Sequence, residues 1–331
     1  MEKIFKAMVV SEIRSNRFKR EISLKSLDEL PDNDLTVQVK YSSLNYKDML
    51  SATGDKGVTK NYPHTPGIDA AGVIIESNTD KFKAGDEVII TGYDLGQNTS
   101  GGFGQIIRVP SSWVIKLPIN ITMKESMIYG TAGLTAAMSI HKLELNGLNP
   151  SLGEVLVTGA TGGVGSIAIG ILSKLGYKVV AVTGKVNEKD YLTKLGAIEI
   201  IDRRDLYDPY DKPLGKRRWA GVVDTVGGNI LSTAIKTTKD GGSVSCCGMV
   251  LSSDLNTTIF PFIIRGISLL GIASAEYPLN KKAILWEKLA GPWKLDCLDH
   301  LSNETNLDNL NTYIDIMIAG KSRGRVIVNL S

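Results

Sequence analysis

Between Leu35 and Tyr41 the chain alternates, with Leu35, Val37, Val39 and Tyr41 apolar and Thr36, Gln38 and Lys40 polar. A period of two puts the apolar set on one face of a half-buried strand. Further short strands are predicted at Gly72–Glu76, at Val88–Thr91 after the Gly85-Asp86 turn signal, and at Gln105–Val109 after Gly101-Gly102. Residues up to about 120 therefore read as β-rich, a small barrel punctuated by glycine turns. At Thr122 the pattern changes. Thr122 and Glu125 form a T-x-x-E capping box, and the apolar, Ala-rich stretch behind them runs to Leu145 before Gly147 stops it. This helix is expected to open a second domain.

Beyond it, near-continuous apolar runs alternate with helical periodicity, as a buried parallel sheet requires. The predicted strands are Val155–Thr158, Lys178–Thr183, Glu199–Ile201, Gly221–Thr225 and Ser243–Cys246. A helix over Val164–Leu175 carries Ile167, Ala168, Ile171, Leu172 and Leu175 on one stripe. The tail adds a helix at Leu310–Ile318, a Gly320 stop and a strand at Val326–Leu330. The fold class is α/β: a β-rich domain and a doubly wound domain, in keeping with 331 residues, a length that exceeds one ordinary core.

The strongest chemical signal lies at the first strand-to-helix junction of the second domain. There the sequence reads Thr158-Gly159-Ala160-Thr161-Gly162-Gly163-Val164-Gly165. Side chains at such a turn would keep backbone N–H groups from a pyrophosphate at the helix N-terminus, so this is a dinucleotide signature in its required context. The next strand of such a fold ends in Asp or Glu when it takes the ribose hydroxyls of NADH. Here it ends in Val182-Thr183-Gly184-Lys185, with Arg203 just after the third strand. A missing acid and two cations favour the 2′-phosphate of NADPH. Asp224 to Gly228, and Cys247, Gly248 and Met249, follow the fourth and fifth strands and are expected to line the nicotinamide half.

Composition narrows the alternatives. Lys plus Arg number 38 against 35 Asp plus Glu, too even for a nucleic-acid footprint, and the Lys216-Arg217-Arg218 cluster reads as a solvated face. No apolar run approaches a membrane span, so no membrane partner and a cytoplasmic location are expected. Three cysteines (Cys246, Cys247, Cys297) and three histidines (His64, His141, His300) show neither disulfide nor metal-ligand spacing, and no nucleophile signature occurs. No metal ion is expected.

These residues resemble the medium-chain dehydrogenase/reductase superfamily, specifically its zinc-free quinone oxidoreductase branch, in the subgroup that includes bacterial acrylyl-CoA reductase. The matching stretches are Ser42–Asp48, Pro66–Gly72, Gly85–Val88, Tyr129–Ala136, Thr158–Gly165, Trp219–Gly227, Pro261–Gly266, Leu269–Ile272 and Gly324–Val328, so the likeness spans the chain. It implies a GroES-like domain over 1–122 completed by the tail 280–331, a Rossmann domain over 123–279, an active site in the cleft, and a homodimer. Zinc-dependent relatives carry Gly-His-Glu where this chain has Gly67-Ile68-Asp69, and they add a cysteine cluster in the first domain; neither is present. By position, the resemblance puts NADPH contacts at Tyr46, Thr183, Lys185, Arg203, Met249, Ile263, Ser274 and Arg325; the expected cofactor set also includes Thr135, the loop Gly159, Thr161, Gly162, Gly163 and Val164, and Gly184, Cys247 and Gly248. Two departures stand out. Relatives often have Ser-Gly-Arg where this chain has Thr183-Gly184-Lys185, which keeps charge and loses the bidentate fork. Gly271-Ile272-Ala273-Ser274 also differs from the family's usual Gly-Ile/Val-Asp-Ser.

The activity implied is NADPH-dependent hydride transfer to the C=C bond of a small conjugated carbonyl compound, an enone or an enoyl (acrylyl-like) CoA thioester. Charge then develops on the carbonyl oxygen and needs a hydrogen-bond donor. Tyr46 is the candidate donor, with Asn45 and Lys47 as orienting or electrostatic neighbours. Quinone reduction and a non-catalytic NADPH-binding role are the alternatives.

Overall fold

The computed structural model describes residues 4–206, 212–296 and 298–331. The chain opens with a hairpin, β1 (Ile4–Arg14) and β2 (Arg17–Ser26), turned through Asn16 at a left-handed φ of 58°. Then come β3 (Leu35–Leu44), α1 (Tyr46–Thr53), β4 (Asp69–Ser77), β5 (Glu87–Thr91), β6 (Ile106–Val109) and β7 (Val114–Lys116). The next helix, α2 (Met123–Leu145), begins on the expected capping box: Thr122 N–H donates to Glu125 Oε2 at 2.8 Å and Glu125 N–H to Thr122 Oγ1 at 3.1 Å.

Behind α2 lie β8 (Glu154–Val157), α3 (Gly163–Lys174), β9 (Lys178–Thr183), α4 (Lys189–Lys194), β10 (Ala197–Asp202), β11 (Trp219–Asp224), α5 (Gly228–Thr237), β12 (Thr238–Cys246), α6 (Phe260–Arg265) and β13 (Ser268–Gly271). The tail contains α7 (Leu279–Ala290), β14 (Ser302–Asn306), α8 (Leu310–Ile318) and β15 (Arg325–Asn329).

These elements form two compact units. The first comprises residues 1–131, 275–291 and 297–331, and the second 132–274 and 292–296. The change-over thus falls at Thr131/Ala132, inside α2, and not at 122/123 as the capping box suggested. One residue before it stands Gly130, whose φ of 50° and ψ of −153° break the helix. The first unit also resumes at Ala275 rather than at 280 and yields residues 292–296 to the second. There Leu295 Cδ1 lies 2.9 Å from where a Cβ on Gly170 of α3 would stand.

In the first unit a seven-stranded sheet runs β14-β15-β3-β4-β5-β7, with β6 also paired to β3. Its inner face carries Leu35, Val37, Val39, Ile74, Val88 and Ile90, packed against Leu310, Ile314, Val326 and Val328 of the tail, all buried. The tail is held by register as well: Val326 pairs with Leu44, Ile327 with Ser43 and Val328 with Ser42. In the second unit six parallel strands run β10-β9-β8-β11-β12-β13, the doubly wound order 3-2-1-4-5-6. Helix α3 is apolar nearly all round, with Ile167, Ala168, Ile169, Ile171 and Leu172 fully buried, so the single stripe read from periodicity understates its burial. Among the described residues no helix is long and apolar enough to cross a membrane.

Candidate active site

In a doubly wound sheet, ligands sit beyond the carboxyl ends of the strands where the order reverses, here between β8 and β11. The two strand ends are tied together. Asp224, fully buried, accepts from Thr158 Oγ1 at 2.7 Å and from Gly227 N–H at 2.9 Å, while Thr225 Oγ1 donates to the Thr158 carbonyl at 2.9 Å. Burial raises the Asp224 carboxyl above the ordinary range. The glycine loop leaves β8 over this clamp. Gly159 has φ 57°, and a Cβ there would stand 2.2 Å from Thr225 Oγ1, so no larger residue fits. Helix α3 starts at Gly162 with no side chain capping its first turn, which leaves its N–H groups for an anion. Thr161 is buried and its hydroxyl lies 3.5 Å from that of Thr183; Gly162, Gly163 and Val164 are partly or wholly exposed.

Thr183 closes β9, and its Oγ1 accepts the Lys185 N–H at 3.0 Å. Lys185 is half-buried, and burial lowers its pKa. Arg203 is exposed and packs against Gly184, where a Cβ would meet its Nε at 2.7 Å. Lys185, Gly184 and Arg203 are thus brought together. At the far end of the sheet, Thr135 Oγ1 donates to Ser274 Oγ at 2.8 Å, and Cys247 Sγ faces the Asp224 carbonyl at 3.2 Å with its thiol pushed up to about 12 by burial. Such a thiol is a packing group and not a nucleophile. Gly248 follows it, while Met249 and Ile263 of α6 are largely exposed. Cys297 lies outside the described residues. In the Lys216–Arg218 cluster, which lies at the surface, Arg217 bonds Asp240, and Arg218 bonds Glu154 and Glu199.

In the first unit Asn45 caps α1 and Tyr46 is its first residue. The Asn45 amide points inward, where its Nδ2 donates to Asp69 Oδ2 at 2.8 Å, to the Ser43 carbonyl at 3.2 Å and to Asp48 Oδ2 at 3.3 Å. Asp69, fully buried, further accepts from Ser43 Oγ (2.7 Å), Thr131 N–H (2.9 Å) and Thr131 Oγ1 (2.6 Å). Asp48 accepts from the N–H groups of Asn45, Gly67 and Ile68; burial and then the Asp69 charge raise it to about 7. Tyr46 projects outward, 45% exposed. Lys47 is half-buried with Nζ 3.3 Å from Gln97 Oε1.

Arg325 differs from expectation in its surroundings. It is buried, and Nε, Nη1 and Nη2 donate to the Ile128 carbonyl (3.0 Å), the Leu44 carbonyl (3.2 Å) and Ser43 Oγ (2.8 Å), with Asp69 3.9 Å away. A guanidinium so engaged is a structural cation of the Asp69 cluster. That cluster escaped the sequence reading. Its one signal was an acid, Asp69, in an otherwise apolar Gly67–Ala71 stretch that begins a central strand. Among the described residues no group of three His, Cys, Asp or Glu is placed to hold a metal ion.

Comparison with known proteins agrees with this architecture. The family described as alcohol dehydrogenase GroES-like domain matches residues 31–119, and that described as zinc-binding dehydrogenase matches 163–289. The Bacillus subtilis protein YhfP, which bears a quinone oxidoreductase name, is 42% identical over 331 residues, covering 100% of both chains; its structure with NAD bound superposes with a TM-score of 0.96. Acrylyl-CoA reductase AcuI of Ruegeria pomeroyi is 39% identical over 99% of this chain and 100% of its own. The YhdH oxidoreductase of Salmonella enterica, solved in complex with NADP, is 37% identical over 98% of this chain and 100% of its own, with a TM-score of 0.95. With both domain types in order and full-length relatives at this identity, the chain belongs to the medium-chain dehydrogenase/reductase superfamily.

Proposed function

We propose that the chain is a zinc-independent, NADPH-dependent reductase that places a hydride on the C=C bond of a small conjugated carbonyl compound, with short enoyl-CoA thioesters as its substrate class. The observation that carries the reading is the end of β9: Thr183 stands where an acid would take ribose hydroxyls, and Lys185 and Arg203 flank Gly184. Support comes from the likeness to an acrylyl-CoA reductase and to an NADP-bound oxidoreductase, while the relative holding NAD makes the preference worth measuring directly.

The residues present fit a dinucleotide. The turn at Gly159 admits no Cβ, and the first turn of α3 is uncapped, so its N–H groups would take the pyrophosphate. Lys185 and Arg203 would take the 2′-phosphate. When bound, the dihydronicotinamide supplies the hydride. The protein's part is to stabilise the charge on the substrate's carbonyl oxygen and to supply a proton to the α-carbon. Tyr46, exposed at the first position of α1, is the donor to that oxygen through its phenol O–H. Lys47, steadied by Gln97, adds positive potential beside it. Asn45 does not face the substrate in this reading; it fixes the start of α1 by tying it to Asp69 and Asp48.

A homodimer and a cytoplasmic location go with the proposal. The outer edge of β13 ends the six-stranded sheet, and Leu269 on it lies near exposed Ile259, Phe260, Ile263 and Ile264 in sequence, an apolar surface that suits a second copy. A quinone is the second substrate class, favoured by the name YhfP bears. The test follows NADPH absorbance with a short enoyl-CoA and, separately, a benzoquinone. Turnover only with the quinone overturns the substrate class. No turnover with either leaves a binding protein.

A further inference from the structure

The cofactor pocket of the second unit has a carboxylate beside it that its proposed chemistry does not need. Asp202 ends β10, and its Cα partner across the sheet is Thr183, the last residue of β9. The same junction is closed by Arg203 N–H donating to the Thr183 carbonyl at 2.9 Å. Asp202 is therefore one strand away from the group that would hold the adenosine ribose, at the level of Thr183. An open carboxylate there would favour a ribose bearing two hydroxyls and repel one bearing a phosphate.

The carboxylate is not open. Its Oδ1 accepts from Arg204 N–H at 2.9 Å and from Arg204 Nε at 3.0 Å, and its Oδ2 accepts from Arg204 Nη2 at 2.7 Å. This is a bidentate fork built on an Asx turn, and it leaves the Asp202 side chain only 12% exposed while Arg204 is 82% exposed. Arg204 also holds the Asp202 carboxyl down at about 2, so the carboxylate is ionised throughout the working range and its charge must be met by a partner and not by a proton. The other carboxylates near these cations are Glu188, beside Lys185, and Asp205, beside Arg204. With Arg204 held on both oxygens of Asp202, the potential over Gly184 is set by Lys185 and Arg203 together with the nearby Glu188 and what remains of the Asp202 charge.

We propose that Arg204 is a positioning residue for cofactor choice: by occupying both oxygens of Asp202 it removes the acceptor and the charge that would otherwise draw NADH and repel the 2′-phosphate. The inference rests on the NADPH reading above and adds a residue that touches no cofactor atom. Its turn also matters sterically, because an Arg204 folded back onto Asp202 leaves Arg203 to lie against Gly184.

The test is a double-mutant cycle on the full-length protein, with NADPH and NADH dissociation constants read from cofactor fluorescence at fixed salt for wild type, Arg204→Gln, Asp202→Asn and the double variant. Asn at 202 keeps the Asx turn while deleting the charge. Arg204→Gln is expected to weaken NADPH roughly threefold to tenfold and to leave NADH unchanged or tighter, the size of a charge interaction across a solvent-facing strand end. In the Asp202→Asn background the same substitution should do nothing to either constant. If Arg204→Gln still weakens NADPH when Asp202 is Asn, Arg204 binds the phosphate itself and the masking role is wrong. Equal weakening of both cofactors, or no change in either, also overturns it. A wild type with no NADPH preference, unaltered by Lys185→Ala with Arg203→Ala, sinks the cofactor reading instead. The ratio change on Arg204→Gln still decides the masking role in that case.

Discussion

Lys282 of α7 offers the sharpest physical test of the first unit. The side chain is fully buried, with Nζ donating to the carbonyls of Thr91 (2.7 Å) and Ala275 (2.8 Å) and lying 3.5 Å from the centroid of the Tyr93 ring. It joins the end of β5 to the point where the chain re-enters the first unit. Burial lowers its pKa from 10.5 to about 8. In the unfolded chain the amine holds its proton up to about 10.4, so between pH 8 and 10.4 the unfolded state binds more protons and stability rises with pH. The full shift corresponds to a ceiling of about 3 kcal/mol at about 1.4 kcal/mol per unit. The Tyr93 face and two carbonyls favour the charged form, which brings the expected gain to about 1–2 kcal/mol. Other lysines and tyrosines titrate in the same window, so the useful quantity is the difference between wild type and Lys282→Met. Urea unfolding at pH 7.5 and pH 10, with hydrogen exchange on peptides spanning residues 88–96, should show wild type gaining on the variant by that amount. A gap that is constant or shrinks with pH would mean that Lys282 carries no depressed pKa.

Gly130→Ala should cost about 3 kcal/mol or more in thermal or urea unfolding, because a Cβ there stands 2.4 Å from Asp69 Oδ2 on backbone that L residues avoid. Tyr46→Phe should lower the hydride-transfer rate about 10²–10³-fold in stopped-flow NADPH oxidation while leaving the NADPH dissociation constant nearly unchanged; an unaltered rate returns Tyr46 to packing. Replacing Lys185 and Arg203 together by Ala should erase on the order of a hundredfold NADPH preference at roughly 1.5–3 kcal/mol per charged contact, with NADH binding little altered. Chelator treatment followed by elemental analysis should leave activity intact with no stoichiometric zinc; activity lost to the chelator and restored by zinc is the contrary outcome.

The elements that the sequence displayed are those whose burial is simple. β9 and α8 fall within their predicted bounds because Val179–Val182 is apolar throughout and Leu310 and Ile314 keep helical spacing. β14 (Ser302–Asn306) carries no apolar residue at all; it exists because its backbone pairs with β15 at the sheet edge, an interaction without a side-chain signature. The break in α2 was equally hidden. Its residues read as one helix, and only the proximity of Asp69 explains why glycine must stand at 130. On the cofactor side, the glycine loop and the Thr183–Lys185 end were legible because backbone geometry and charge decide them locally. The Arg204 fork was not, since a run of Asp202-Arg203-Arg204-Asp205 does not say which cation turns back.

Arg325 shows what position in a motif leaves open. The stretch Gly324-Arg325-Val locates the residue, but the surroundings decide its work. A guanidinium buried at the start of β15 requires acceptors, and the structure supplies them from three directions. One is the Ile128 carbonyl. Ile128 lies in the turn just before the break at Gly130, and Arg325 Nε donates to its carbonyl there. Gly130 is in turn required because Asp69 and Ser43 fill the space beside it, and Asp69 tolerates burial because Ser43, Asn45, Thr131 and the nearby Arg325 surround it with donors and positive charge. The helix break, the buried acid and the buried base are therefore conditions for one another. Asn45, one residue behind Tyr46, ties the first turn of α1 to the buried Asp69, so the start of the helix that carries Tyr46 is fixed by this cluster.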